Sequence, residues 1–267
     1  MHKASRLIER IVRGAVMCCL LPFVAAAQTD AAHGRAGDSS PQHPHTMKMR
    51  VEIWSDIVCP FCYLGKRKFE AALAQFAQRD SIEVEYKSFQ LAPDIVTDTA
   101  LRVDEYLSTA KGIPLEQARA MNARVTAAAS EIGLDYQMEK AILANTFNAH
   151  RLLHMAKEHG VQQQLNERLL RAYFTEGLNI DDQATLVRLA VEVGLPASDV
   201  AAVLTSNAHA DAVRADIDLA RSFGCTGVPF YVFDRTYAVS GAQDQQVFLE
   251  TLRQAYAEFT HKERPRE

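Results

Sequence analysis

Val51 and Ile53 alternate with Arg50 and Glu52 in MRVEIWSD, and this period of two predicts a strand. Further on, Phe69, Leu73 and Phe76 recur at helical spacing, which predicts one buried helix face. SIEVEYKSF then alternates again, Ile82, Val84 and Tyr86 against Glu83, Glu85 and Lys87, as a half-buried strand does. The opening therefore reads β-α-β. Beyond Pro93 the register changes, and residues 101 to 206 carry helical periodicity and little else. Segments such as LEQARAMNARVTAAASEIG, MEKAILANTFNAHRLLHMAKEHG and DQATLVRLAVEVG each end at or near a glycine, a helix stop signal. A further helix places Val213, Ile217 and Ala220 on one face, and FYVF and YAVS read as strands joined by a tight turn at Asp234 and Arg235. A last helix carries Phe248, Leu252, Ala255 and Phe259, with Asp244 as its candidate N-cap.

The order is β-α-β, a block of helices, then α-β-β-α. With the block set aside, this is the element order of the thioredoxin fold. The expected class is α/β, thioredoxin-like, with a large all-helical insertion. The core is split over 47–94 and 207–267, and the insertion occupies 95–206.

Composition narrows the function classes. The 267 residues suffice for a sizeable core, and the net charge of −4 is spread without a basic stripe, which argues against nucleic acid as a partner. No apolar run reaches the roughly 18 residues of a lasting membrane span. The first residues differ from the rest. Lys3, Arg6, Arg10 and Arg13 precede GAVMCCLLPFVAAA, and the closing alanines fit signal cleavage. This predicts a signal peptide over 1–27 and a periplasmic location; translation from Met47 or Met49 would instead give a cytoplasmic protein. Met17, before Cys18, argues against a lipoprotein. Residues 28–46 are polar and rich in Gly, Pro and Ser, as a disordered tether is, and His33, His43 and His45 within it read as solvated.

Without the leader, the cysteines that remain are Cys59, Cys62 and Cys225. Three are too few for a disulfide framework, and a four-thiolate zinc site lacks its second pair. The stretch DIVCPFCYLGKRKFE puts Cys59 and Cys62 where the first strand hands over to a helix. If Pro60 is the first helical residue, Cys59 sits at the cap, where free N–H groups and the helix dipole favour a thiolate. Cys59 is then an exposed nucleophile with a pKa below that of free cysteine, and Cys62, one turn in, is the resolving thiol. Lys66, Arg67 and Lys68 follow and read as solvated. Pro229, at a strand entrance in GVPF, is a candidate cis proline, and the Val228–Pro229 backbone is placed to pair with an extended substrate.

Three stretches, SDIVCPFCYLGKRKFE, NTFNAHRLLH and GVPFYVFDRTYAVSGAQ, resemble the DsbA-like thioredoxin superfamily and its FrnE-type subgroup. The resemblance runs over about 49–260. It implies a thiol–disulfide oxidoreductase or isomerase with Cys59 and Cys62 as redox pair and Pro229 as cis proline. Its substrates are protein thiols and disulfides, and a partner protein recycles the pair. No cofactor is expected beyond the disulfide itself, with glutathione as a possible reductant, and no metal. Phe61 stands where the subgroup usually has Trp, its members commonly lack a leader, and the extra cysteine pair of some members is absent here. A histidine inside the motif marks the strong oxidants; Phe61 gives a pair nearer glutaredoxin, so the expected potential is roughly −180 to −230 mV.

Other residues are weighed beside the pair. Asp56 reads as a partner of loop amides or as a proton acceptor. Asn148 and His150, on the helix that borders the cleft in the resembled family, are candidates to contact substrate or tune Cys59, against a role tying the insertion to the core. Cys225 reads as core filler, against a third redox thiol, and Trp54 reads as core. The enzymatic rival is glutathione-dependent catalysis of the kappa-class transferase or 2-hydroxychromene-2-carboxylate isomerase type, which typically has serine in place of Cys59. The non-enzymatic rival is a metal-handling or chaperone-like module.

Overall fold

In the computed structural model, which describes residues 47–262, the opening forms as β1 (Met49–Ser55), helix α1 (Pro60–Gln75) and β2 (Ile82–Ser88), with β1 and β2 parallel. The leader, the tether and its three histidines lie outside the described residues. At the other end of the chain, helix α8 (Ala210–Ser222) leads to β5 (Phe230–Phe233), β6 (Tyr237–Ser240) and helix α9 (Gln245–Lys262). The strands form a sheet of order β2-β1-β5-β6, in which β5 runs antiparallel to both β1 and β6. Asp234 and Arg235 make the predicted turn with left-handed φ of 48° and 51°, closed by Thr236 N–H donating to Phe233 O at 2.9 Å. Asp244 starts α9 through its carbonyl, which accepts from Val247 N–H at 3.0 Å, and its carboxylate faces Lys68 instead. The sheet, its order and its flanking helices make a thioredoxin-like fold.

Between β2 and α8 lie helices α2 (Val103–Lys111), α3 (Leu115–Ser130), α4 (Phe147–Glu158), α5 (Gln162–Phe174), α6 (Gln183–Glu192) and α7 (Ala197–Leu204). The insertion is not purely helical, contrary to expectation. β3 (Asp98–Arg102) pairs antiparallel with β4 (Ile142–Leu143). β4 is two residues long and β3 is largely exposed, so neither leaves an alternating pattern to read.

Two apolar cores share one helix. On one sheet face Val51, Ile53, Tyr231 and Phe233 pack with Phe69 and Ala72 of α1 and with Phe248 and Leu252 of α9. The insertion has its own core, around Leu152, Leu165, Leu169 and Leu189, and Tyr63 and Leu64 of α1 belong to it. Helix α1 is thus clamped from both sides.

On the other sheet face the polar positions are not half-solvated as the alternation suggests. Trp54 packs there with Ala220, Cys225, Phe230 and Val232, and its indole N–H donates to Asp216 O at 2.8 Å. Glu52 and Glu85 are buried beside it, Glu52 held by both guanidinium arms of Arg235 and Glu85 by Lys87 at 2.6 Å and by Lys157. Lys87 also reaches Asp216 at 3.3 Å, and Asp216 lies 3.1 Å from His154 Nε2. This chain of charges ties the sheet to α4 and α8.

Burial opposes the ionisation of Glu85 and Asp216, yet both are held below their ordinary values: Glu85 by Lys157 and Lys87, Asp216 by His154, Ser88 N–H and Lys87. A carboxylate lowered in the folded state stabilises the fold above its unfolded pKa, and that contribution fades as pH falls through the folded value. The thermal midpoint should therefore decline once pH drops below about 4. Asp216→Asn should cost about 3 kcal/mol at neutral pH and should show a shallower acid decline. A variant whose midpoint falls as steeply as that of the unaltered protein would count against the network.

Candidate functional site

Cys59 is the N-cap of α1, with extended backbone (φ −87°, ψ 112°), and Pro60 is the first helical residue. Proline fits there because its missing N–H would have no intrahelical acceptor and its fixed φ suits the first turn. The approach is a tight turn, in which Cys59 N–H donates to Asp56 O at 3.1 Å and Cys62 N–H to Cys59 O at 3.0 Å. Cys62 points inward at 2% exposure, and its sulfur accepts from Asp56 N–H at 3.4 Å. Burial pushes the Cys62 thiol well above its ordinary value, and the adjacent Cys59 adds to this. Such a group stays protonated at neutral pH.

Across from the pair, the Val228–Pro229 peptide bond is cis, and the Cys59 thiol donates to Val228 O at 3.4 Å. Helix α1 comes this close because residue 65 has no side chain. A Cβ on Gly65 would lie 2.5 Å from Tyr231 Oη and 3.0 Å from Pro229 Cγ. Tyr136 holds the helix from the insertion side: its hydroxyl donates to Pro60 O at 2.7 Å, and its ring stacks on Phe174 with centroids 4.6 Å apart.

Two expectations are corrected here. Cys59 is only 4% exposed, because its thiol is turned against Val228 O rather than outward, whereas Phe61 beside it is 53% exposed. Nor are the cations after the motif solvated. Lys66 is buried between Glu70 (2.5 Å) and Glu167 (2.6 Å), and Arg67 binds Glu167 and Glu70 while lying over the Tyr63 ring. Glu167 is half-buried, yet Lys66, Tyr63 and Arg67 hold its carboxyl below the usual range. The positive charge of Lys66 and Arg67 is consumed within this cluster, while Lys68 turns to Asp244 at 3.6 Å.

The remaining candidates take different places. Asn148 is half-buried, and its Oδ1 accepts from Arg151 at 3.0 Å. Arg151 binds the carbonyls of Val203, Ser206 and Ala208, which fastens α4 to the α7–α8 connection. His150 is fully buried, facing Asp56 beneath the cysteine pair and not a substrate on its rim. Asp56 Oδ2 accepts from the loop amide of Leu91 at 2.8 Å, one of its two expected roles. Cys225 sits in the Trp54 cluster with its thiol donating to Gly227 O at 3.2 Å, and burial raises its pKa. Among the described residues, no group of three or more His, Cys, Asp or Glu is placed to hold a metal ion.

Gly65, Tyr136 and Tyr231 did not emerge from the sequence. Gly65 had a signal, since a glycine inside a helix costs about 0.5–1 kcal/mol relative to alanine and so asks for a reason. Tyr136 and Tyr231 had none, because they reach the site only through tertiary contacts.

Two outcomes are expected. Gly65→Ala should destabilise the protein by about 1–3 kcal/mol through overpacking, measured by denaturant unfolding; a neutral effect would refute the close approach. Iodoacetamide at neutral pH should label Cys59 at least about tenfold faster than Cys62 or Cys225. Peptide mass spectrometry would read this, and equal labelling of all three would overturn the assignment of the nucleophile.

Similar proteins lie at several distances in sequence and fold. The chain is 44% identical to a probable DsbA oxidoreductase of Streptomyces coelicolor whose crystal structure superimposes with a TM-score of 0.75, covering 82% of this chain and 92% of that one. The Bacillus subtilis (strain 168) protein YwbO is 28% identical over 214 residues, 77% of this chain and 96% of its own. A 2-hydroxychromene-2-carboxylate isomerase shares the fold at 17% identity, with a TM-score of 0.57 over 81% of this chain and all of its own. The model of the DSBA-like thioredoxin domain matches residues 50–253, and the chain belongs to that family.

Proposed function

We propose that the protein is a thiol–disulfide oxidoreductase that exchanges disulfides with protein substrates through Cys59 and Cys62. The observation that carries this reading is the Cys59 sulfur, at the mouth of α1 and 3.4 Å from the carbonyl that precedes Pro229, with Cys62 buried one turn behind it. Only a protonated Cys59 can donate to that carbonyl. On ionisation the bond becomes a repulsion between sulfur and oxygen, so the thiolate leaves its cover and meets an incoming disulfide. The freed Val228 backbone then pairs with the extended chain that carries it. Cys59 attacks one substrate sulfur and expels the other; Cys62 attacks Cys59 and releases the substrate as a thiol. The pair ends as a disulfide, and the reverse sequence oxidises a dithiol substrate.

Phe61 between the cysteines supports a potential between the strong oxidants and the strong reductants, roughly −180 to −230 mV. The 44% identity to the Streptomyces protein supports the same chemistry. The isomerase relative supports the fold alone, and the serine typical of that class is absent here. The basic start, apolar run and closing alanines support export to the periplasm, which N-terminal sequencing of the native protein would test. A recycling partner then reoxidises or reduces the pair, and glutathione serves as a small-molecule reductant.

Insulin reduction by dithiothreitol reads the activity. Cys59→Ser should abolish the catalysed rate, and Cys62→Ser should trap substrate as a mixed disulfide visible on non-reducing gels. Full activity in Cys59→Ser would sink the proposal; glutathione conjugation retained in that variant would favour the isomerase-type alternative.

A further inference from the structure

The insertion reaches the first turn of α1 with a hydroxyl group. Tyr136, in the segment between α3 and α4, is buried, and its hydroxyl donates to Pro60 O at 2.7 Å. The segment is held on both sides of that residue. Before it, Asp135 O accepts from the Thr175 hydroxyl at 2.7 Å; after it, Gln137 N–H donates to Phe174 O at 2.7 Å. The ring itself stacks on Phe174 and Tyr63, with centroids 4.6 Å and 6.1 Å away. Backbone, ring and hydroxyl are therefore all fixed against α1.

Pro60 O belongs to the same peptide unit as Phe61 N–H. Pro60, the first helical residue, has no N–H, so Phe61 supplies the first one of the helix. The next, from Cys62, is occupied by Cys59 O at 3.0 Å. A capping side chain takes its hydrogen bond from the second or third residue of a helix, which leaves Phe61 N–H to meet a Cys59 thiolate. While protonated, Cys59 makes no cap bond and donates to Val228 O instead. A hydrogen bond accepted at the carbonyl end of a peptide draws charge along it and strengthens the N–H at the other end by about 10–30%. We propose that Tyr136 is a positioning residue that acts on Cys59 through the Pro60–Phe61 peptide, its hydroxyl making Phe61 N–H a better donor to the ionised sulfur. The inference rests on the thiol–disulfide reading above. Cys62 on α1, Tyr136 and Tyr231 on β5 lie within electrostatic reach of Cys59, and burial raises the pKa of all three, so they carry no charge at neutral pH and leave the backbone to set the local field. A pair whose reduced form is stabilised is the stronger oxidant as a disulfide, and the insertion shifts Cys59 and Cys62 in that direction.

Iodoacetamide labelling of Cys59, followed from acidic to alkaline pH, reads the population of the thiolate. Tyr136→Phe keeps the ring and removes the hydroxyl. On the acid side of the profile its Cys59 should react about two- to threefold more slowly than that of the unaltered protein. The two rates should converge at alkaline pH, where every Cys59 is ionised and Tyr136 no longer decides how many thiolates exist. A ring-fluorinated tyrosine at position 136, a stronger donor of nearly the same size, should shift the acid-side rate the opposite way. Equal rates for all three proteins across the profile overturn the role of Tyr136 and leave the thiol–disulfide reading standing. A slowing by the same factor at every pH reads a displaced helix and overturns that role as well. Should Tyr136→Phe fail to fold, the fluorinated protein carries the test, and an unchanged acid-side rate there overturns the proposal. An unaltered protein whose Cys59 reacts no faster than its Cys225 overturns the thiol–disulfide reading and the proposal with it.

Discussion

The geometry of the cysteine pair depends on how closely the first turns of α1 approach the loop at Pro229, and that approach is set by packing on both sides of the helix. Toward the sheet, Phe69 and Ala72 are buried with Tyr231 and Phe248; toward the insertion, Tyr63 and Leu64 are buried with Phe174 and Leu152. Burying one such aromatic or aliphatic side chain is worth about 1.5–3 kcal/mol, so each face resists displacement of the helix. Gly65 removes the one side chain that would hold the helix off, and Tyr136 fixes its first turn by bonding Pro60 O. The sulfur-to-carbonyl contact at Cys59 follows from these constraints.

Charge is arranged so that this contact is left to the backbone. Lys66 and Arg67 are absorbed by Glu70 and Glu167 and add little net field at the cysteine pair. The free N–H groups of the helix start remain, and such a terminus favours a nearby negative charge by about 0.3–1 kcal/mol, or up to about 2 where partly buried. On the far face of the sheet, Glu85, Lys87, Asp216 and His154 pair with one another and serve attachment rather than chemistry.

The β-α-β opening and the α-β-β-α close were legible because their periods of two and of helical spacing survive in the sequence, and the Cys59 cap was legible because Pro60 marks the first turn. The dithiol motif and the proline entrance could likewise be read from local residue types. What was hidden depends on contacts far apart in sequence. Alternation presented Glu52 and Glu85 as solvent-facing, but Arg235 and Lys157 arrive from 183 and 72 residues away and allow both to be buried. The covered state of Cys59 was hidden for the same reason, since its acceptor lies 169 residues on. The helix NTFNAHRLLH was singled out, yet spacing alone could not tell which of its polar residues turned toward Asp56 and which fastened the helix. The structure divides them: His150 goes inward to Asp56, and Asn148 goes with Arg151 to the neighbouring connection.

That division bears on what the insertion is for. A helical block that only covered apolar surface would need no buried polar side chains directed at α1. This one sends Glu167 of α5 to Lys66 and Arg67, Tyr136 to Pro60, and His150 to Asp56, three polar contacts along or beside a single helix. Breaking the Tyr136 contact leaves a buried hydroxyl without its partner, at a cost of about 1–3 kcal/mol, so the block is held in one orientation relative to α1. Apolar packing alone would tolerate small rotations; directed polar contacts do not. The insertion therefore acts as the second wall around the cysteine pair, facing the Pro229 loop across α1.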